Sequence, residues 1–293
     1  MIKGENTGAG ANPGAFGRFR ERLARCLFCV AACVSILAVA LICIFLFANG
    51  VPGMAKIGVW KFLSGTRWKP GSNIYGILPM ILGSVYVTAG ALVVGVPAGL
   101  LAALFMARFA SKKLLRLMRP AISLLAGIPS VVYGLVGMIL IVPLVRKVFG
   151  LPDGANLFSA VIVLSVMILP SVISVSSTAI KAVPKEYEEG SLALGATKTE
   201  TTFKIVVPAA RSGILASVVL GIGRAIGEAM AVMMVSGNAP NMPKLFGSVR
   251  FLTTAVASEM SYSSGLQRKA LFSIALVLFL FILLMNTALN LAI

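Results

Sequence analysis

Long apolar runs alternate with short polar stretches along the chain. Six runs stand out, at about 25–47, 77–107, 121–145, 157–179, 212–236 and 270–292. Each reaches the roughly 20 residues that a helix needs to cross a hydrocarbon core about 30 Å thick. Lipid offers no partner to a backbone N–H or C=O, so a spanning segment must satisfy these groups itself, and helices are predicted throughout. Five runs carry no charge in their interior; the fifth carries Arg224 and Glu228. Pro97, Pro129, Pro143 and Pro170 fall inside or near the ends of the runs, where they predict kinks. The pattern gives an all-α, polytopic membrane protein with six transmembrane helices.

Composition agrees with the pattern. Of 293 residues, 58% are hydrophobic and 12% charged, with a mean hydropathy of +0.98, whereas a soluble domain carries about 25% charged residues. Arg18, Arg20, Arg22 and Arg25 precede the first run as the basic region of a signal peptide would. That run, about 22 residues, is too long for a signal-peptide core of 7–15, so a retained helix is predicted. All four cysteines, Cys26, Cys29, Cys33 and Cys43, lie on it, and the chain has no histidine. One helix cannot wrap a tetrahedral metal, so no metal is expected and these thiols read as small apolar filler.

The cations set an expected orientation. Five lie in the N-terminal arm, five in the 108–119 segment and five in the 181–211 loop, against ten in the alternate loops. Basic loops stay in the cytoplasm, which predicts cytoplasmic N- and C-termini. The net charge of +17 flanks membrane spans without interleaved aromatics, so anionic lipid is the expected partner and nucleic acid is not. Hydrolytic or metal-type catalysis has little to work with, since the few carboxylates fall mostly in the arm and loops. Trp60, Trp68 and Tyr75, in the first loop, are expected at headgroup level as interfacial anchors.

Arg224 and Glu228 are the charged pair inside a predicted span, where each charge costs about 2.5–3.5 kcal/mol on insertion scales. At i and i+4 in a predicted helix they share one face. Counting 1.5 Å per residue from position 212 places Arg224 roughly 18 Å in, near mid-bilayer. Two readings stand: a structural ion pair that neutralises itself, and a substrate or gating site on a central path. The surrounding GIGRAIG has small residues suited to helix packing and no strand before it, unlike a dinucleotide loop. In AGIPSVVYG, Gly127, Pro129 and Gly134 predict either a segment shaping that path or a packing kink.

The most polar stretch of the second half, EEGSLALGATKTETTFKIVVP (Glu188 to Pro208), lies between the fourth and fifth runs. It predicts a helix from Lys185 to Leu194, a break at Gly195 and a second helical piece ending at Pro208. Glu189-Gly190-Ser191, then Gly195, then nine residues before Ile205-x-Val207-Pro208, resembles the E-A-A-x3-G-x9-I-x-L-P signature of importer-type ABC permeases. Gly190 replaces the first alanine and Val207 the leucine. The resemblance implies that this loop, about 181–211, forms coupling helices that dock on a cytoplasmic ATPase. Glu189 would offer a fixed charge, Gly190 and Ser191 close approach, and Gly195 the turn, with Ile205 and Pro208 closing the motif.

FLSGTRWKP, YGILPMILGS, LLAGIPSVVYGLVG and GIGRAIGEAMAVMMVSGN are similar to the permeases of the PstC type, from high-affinity phosphate importers. Gly227-Glu228-Ala229 departs from that family's Gly-Glu-Thr. The resemblance implies a type I ABC importer permease in the bacterial inner membrane: an arm over 1–24, then a six-helix permease domain over 25–293. It would move inorganic phosphate into the cytoplasm by alternating access, with Arg224 and Glu228 on the substrate path. Its expected partners are a second homologous permease, two copies of a cytoplasmic ATPase and an extracytoplasmic phosphate-binding protein. No G-x-x-x-x-G-K-[ST] loop is present, so the chain is expected to hold no cofactor and to be no enzyme, with ATP and Mg bound by the ATPase subunits. The alternatives are a permease for sulfate or molybdate and an ATP-independent secondary transporter, which would have no use for the coupling loop.

Overall fold

The apolar runs fold as helix, two of them with a break, at Ile128–Pro129 and at Glu228–Ala229. The computed structural model of the protein describes residues 15–292, with side chains over 21–288 and at 291. Lys3 and Glu5 of the arm lie outside the described residues, as do the side chains of Arg18 and Arg20. The chain divides into two compact units, 1–48 and 49–293. Helix α1 (Ala15–Ile57) runs through the boundary. None of its residues from Glu21 to Ala48 is buried.

The second unit continues with α2 (Val59–Ser64) and an antiparallel hairpin, β1 (Trp68–Lys69) and β2 (Ile74–Tyr75), in which Trp68 pairs with Tyr75. Then come α3 (Leu78–Leu104), α4 (Lys112–Gly127), α5 (Ser130–Val136), α6 (Val142–Phe149) and α7 (Leu157–Lys181). A polar hairpin follows: α8 (Lys185–Ala193), α9 (Lys198–Thr201) and α10 (Val207–Ala209). The chain finishes with α11 (Arg211–Gly227), α12 (Met230–Val235), α13 (Leu252–Glu259) and α14 (Gly265–Ala292). Wider π-helical turns follow α3 at Phe105–Phe109, α5 at Gly137–Ile141 and α9 at Thr202–Val206.

Helix α7 is the hub of the second unit. It packs against α3 and α11, with Leu164, Met167, Ile168 and Val172 almost fully buried. At Gly95 of α3 a Cβ would come within 2.7 Å of the Ile168 side chain, so the two helices approach through a small residue, as membrane helices do. The hydroxyls of Ser176 and Ser217 lie 2.7 Å apart and join α7 to α11.

Five helices among the described residues are long and apolar enough to cross a membrane alone, and the count reaches six when α11 is taken together with the Lys198–Ala209 segment, to which it is bent by 70°. The third span differs from the predicted 121–145. Helix α4 is amphipathic, carries Lys112, Lys113, Arg116 and Arg119, and buries no residue; the membrane-length helix is Ser130–Phe149. Pro129 is the cause. It has no N–H to give the Leu125 carbonyl, it holds Ile128 in extended conformation (ψ 128°), and the Tyr133 hydroxyl donates to the freed Leu125 oxygen at 2.7 Å.

Two expected interfacial anchors are instead core. Trp68 and Tyr75 are 6% and 4% exposed and meet edge-to-face at 5.4 Å, among Phe62, Met80, Leu271 and Ile274. The hairpin turns both rings onto the face that packs on α3 and α14. Only Trp60 of the three is exposed.

Candidate functional site

The polar hairpin follows from local chemistry. Gly195 has φ +88°, a left-handed conformation that costs a residue with Cβ and costs glycine little. Two residues later Thr197 begins α9 with a capping box: its hydroxyl accepts from the Glu200 amide at 3.2 Å, and the Glu200 carboxylate accepts from the Thr197 amide at 3.0 Å. The bonds from Thr197, and Lys204 nearby, hold the Glu200 carboxyl below its usual range. The Ser191 and Thr201 hydroxyls, 2.9 Å apart, tie the two arms together.

The motif residues present an outward face. Glu189, Gly190, Ile205 and Pro208 are exposed and Ser191 is half-buried. Tyr187, Leu194 and Phe203 are exposed beside them. A Cβ at Gly190 would meet nothing within 4 Å, so this position is open on the outward face.

Arg224 and Glu228 are not the helical pair that their spacing predicts. Helix α11 ends at Gly227, Glu228 is extended (φ −73°, ψ 129°), and α12 begins two residues later. The i,i+4 geometry is lost, and the two side chains form no ion pair. The break has partners of its own: the Thr253 hydroxyl donates to the Glu228 carbonyl at 2.8 Å, and the Glu228 carboxylate accepts from the Ala231 amide at 3.0 Å. Irregular backbone at membrane depth persists where protein groups satisfy it.

Arg224, half-buried, donates to the Ser171 hydroxyl at 3.0 Å. It lines a cavity of about 640 Å³ with Ser171, Gly223 and Asn286. No carboxylate among the described residues pairs with it.

Two ion pairs escaped sequence reasoning. Arg108, in the π-helical turn after α3, pairs with Glu188 of α8 and donates to the Ile180 carbonyl at 3.0 Å. The polar hairpin is thereby tied to the ends of α3 and α7. Glu259 pairs with Arg250 and accepts from Trp68 Nε1 at 3.2 Å and from Gln267 at 2.9 Å. Arg108 and Glu188 lie 80 residues apart and Trp68 and Glu259 lie 191 apart, beyond any local spacing, while Arg250 and Glu259, nine apart, meet across the turn into α13.

The comparisons with known proteins bear directly on this arrangement. The family described as "Binding-protein-dependent transport system inner membrane component" matches residues 95–293. The chain belongs to that family. This transport-system component is 39% identical over 273 residues to the Bacillus subtilis protein named "Probable ABC transporter permease protein YqgH", covering 89% of this chain and 88% of that one. It is 34% identical to the "Phosphate transport system permease protein PstC" of Pasteurella multocida, over 81% of this chain and 83% of that one. The PstC of Haemophilus influenzae is 35% identical, over 76% and 80% respectively. Among solved structures, a bacterial ABC transporter that imports alginate shares the fold with a TM-score of 0.64 at 14% identity, covering 93% of this chain and 97% of that one. The component is thus an ABC-type inner-membrane permease, a transporter subunit and not itself an enzyme.

Proposed function

We propose that the protein carries inorganic phosphate into the cytoplasm by alternating access, with Arg224 as the anion ligand on the path. The observation that carries this is the guanidinium itself. A charge inside a span costs free energy until something compensates it, and its one hydrogen-bond partner here is a neutral hydroxyl. A phosphate oxygen pair fits the planar fork of a guanidinium with two charge-assisted hydrogen bonds. Glu228 stands at the helix break beside it and fixes the start of α12, so it shapes the path and does not neutralise the arginine. The names of the PstC relatives support phosphate over sulfate or molybdate.

The 185–208 hairpin is the docking element for the ATPase in this reading. Glu189, Gly190, Ser191, Gly195, Ile205 and Pro208 form its face, and Arg108 with Glu188 relays its movement to α3 and α7. A second similar permease, two ATPase subunits that bind ATP and Mg, and an extracytoplasmic phosphate-binding protein complete the importer. Both termini face the cytoplasm. Impermeant thiol labelling of Ser191→Cys and Ser64→Cys, in a background without the native cysteines, should therefore occur from opposite sides of the membrane.

Transport tests the ligand role. Arg224→Gln should abolish phosphate uptake and Arg224→Lys should retain little, each at normal membrane abundance. Phosphate uptake by Arg224→Gln at wild-type rate would refute the assignment.

A further inference from the structure

A second cavity, of about 380 Å³, lies between α4 and the end of α7. Arg119 of α4 and Lys181, the last residue of α7, both line it, together with the hydroxyls of Ser123, Ser174, Ser177 and Thr178. Neither cation has an ion-pair partner among the described residues. Two like charges lining one cavity, one from each of its flanking helices, repel each other, and nothing acidic lines the cavity to offset them. The Thr178 hydroxyl already donates to the Ser174 carbonyl at 2.9 Å, which leaves three serines as donors beside the two cations. Ser177 is buried against the cavity.

The cavity continues a line that starts at Arg224. Ser171, which receives the Arg224 hydrogen bond, is followed on α7 by Ser174, Thr178 and Lys181. These positions fall at i, i+3, i+7 and i+10, one face of a helix, and the ten residues rise about 15 Å. Hydroxyls therefore step from the arginine to the cationic cavity.

We infer that Arg119, Lys181 and the facing serines form a second oxyanion site, for a tetrahedral phosphate group, at the end of α7 nearer the polar hairpin. The guanidinium fork and the ammonium supply charge-assisted donors, and the serines complete the shell around the remaining oxygens. The group can be free inorganic phosphate or the phosphate of an anionic lipid. The inference rests on the anion path proposed above only where the free ion is the occupant.

The test uses the assembled importer in vesicles of phosphatidylcholine alone and of phosphatidylcholine with phosphatidylglycerol. Uptake of radiolabelled phosphate, ATPase rate and phosphatidylglycerol retained on the purified complex are measured for the wild type, the double substitution Arg119→Gln with Lys181→Gln, the charge-conserving Arg119→Lys with Lys181→Arg, and Lys113→Gln on the same helix as control. The neutral double should lose roughly tenfold or more of its uptake, as expected when two charged donors go, while the charge-conserving double keeps most of it and the control behaves as wild type. A loss in both vesicle types identifies free phosphate. A loss confined to phosphatidylglycerol vesicles, with less lipid retained, identifies the headgroup. Unchanged uptake and lipid retention in the neutral double would overturn the site, as would equal damage from both doubles. If the wild type moved sulfate and not phosphate, the phosphate reading would fall, and the neutral double's effect on sulfate uptake would still decide this site.

Discussion

The polar hairpin at 185–209 and the broken span at 211–236 are neighbours in sequence with opposite lessons. In the hairpin each backbone choice has a local cause: a left-handed glycine, a threonine cap, a glutamate three residues on. In the span the local spacing favours a continuous helix, yet the chain leaves helix at Glu228 because Thr253, from α13, holds the freed carbonyl. Local chemistry sets the first region and a distant partner sets the second. Substitutions should separate them accordingly.

The largest effect is expected at Gly195. Proline cannot reach φ +88°, so Gly195→Pro should collapse the hairpin and abolish uptake, while the apolar spans keep the protein in the membrane. Full uptake by this variant would remove the hairpin from the mechanism.

Next comes the tie between hairpin and spans. Arg108→Glu or Glu188→Arg leaves a partly buried charge facing its like. Such a loss is worth about 1–3 kcal/mol, and each single variant should couple ATP hydrolysis to uptake several-fold less well. The double exchange should recover much of the coupling, and failure to recover would show that geometry, not charge pairing, matters there.

A smaller effect is expected at Thr253. Thr253→Val removes the donor to the Glu228 carbonyl but keeps the shape, at a cost of about 1 kcal/mol for a lost hydrogen bond. Uptake should fall while hairpin-dependent ATPase binding does not. Equal loss of both would mean that the two regions are not separable.

The smallest is at the cap. Thr197→Ala should loosen the start of α9 by roughly 1 kcal/mol, visible as faster amide exchange at Glu200 and its neighbours. The pH dependence has a definite sign. The folded Glu200 pKa is lowered, so its contribution is present above the ordinary glutamate range and fades only as pH falls through the lowered value. Wild-type exchange protection at α9 should hold at neutral pH and drop in acid, and Thr197→Ala should flatten that drop.

Legibility in the sequence followed the same division. The all-α class, the apolar runs and the helix–Gly195–helix hairpin were readable, because lipid demands helices and because glycine, threonine and glutamate act within a few residues. The third span was misplaced because composition around 121–128 is apolar enough to continue it, whereas Pro129 and the basic face of α4 end it. Trp68 and Tyr75 looked like anchors until the hairpin turned them inward. Arg108–Glu188 and Arg250–Glu259 needed chain folding to bring them together. Arg224 was found by the rarity of charge in a span; its spacing put Glu228 on the same helical face, but the helix break separates the two and Arg224 donates to Ser171 instead.

Whether Arg224 serves an anion or merely balances Glu228 is settled by three variants measured side by side: Arg224→Gln, Glu228→Gln and the two combined. The geometry expects no phosphate uptake from Arg224→Gln, retained abundance for Glu228→Gln because the glutamine oxygen still accepts from the Ala231 amide, and no uptake from the double. Uptake restored in the double would contradict this, since two mutually neutralising charges can be removed together and an anion ligand cannot.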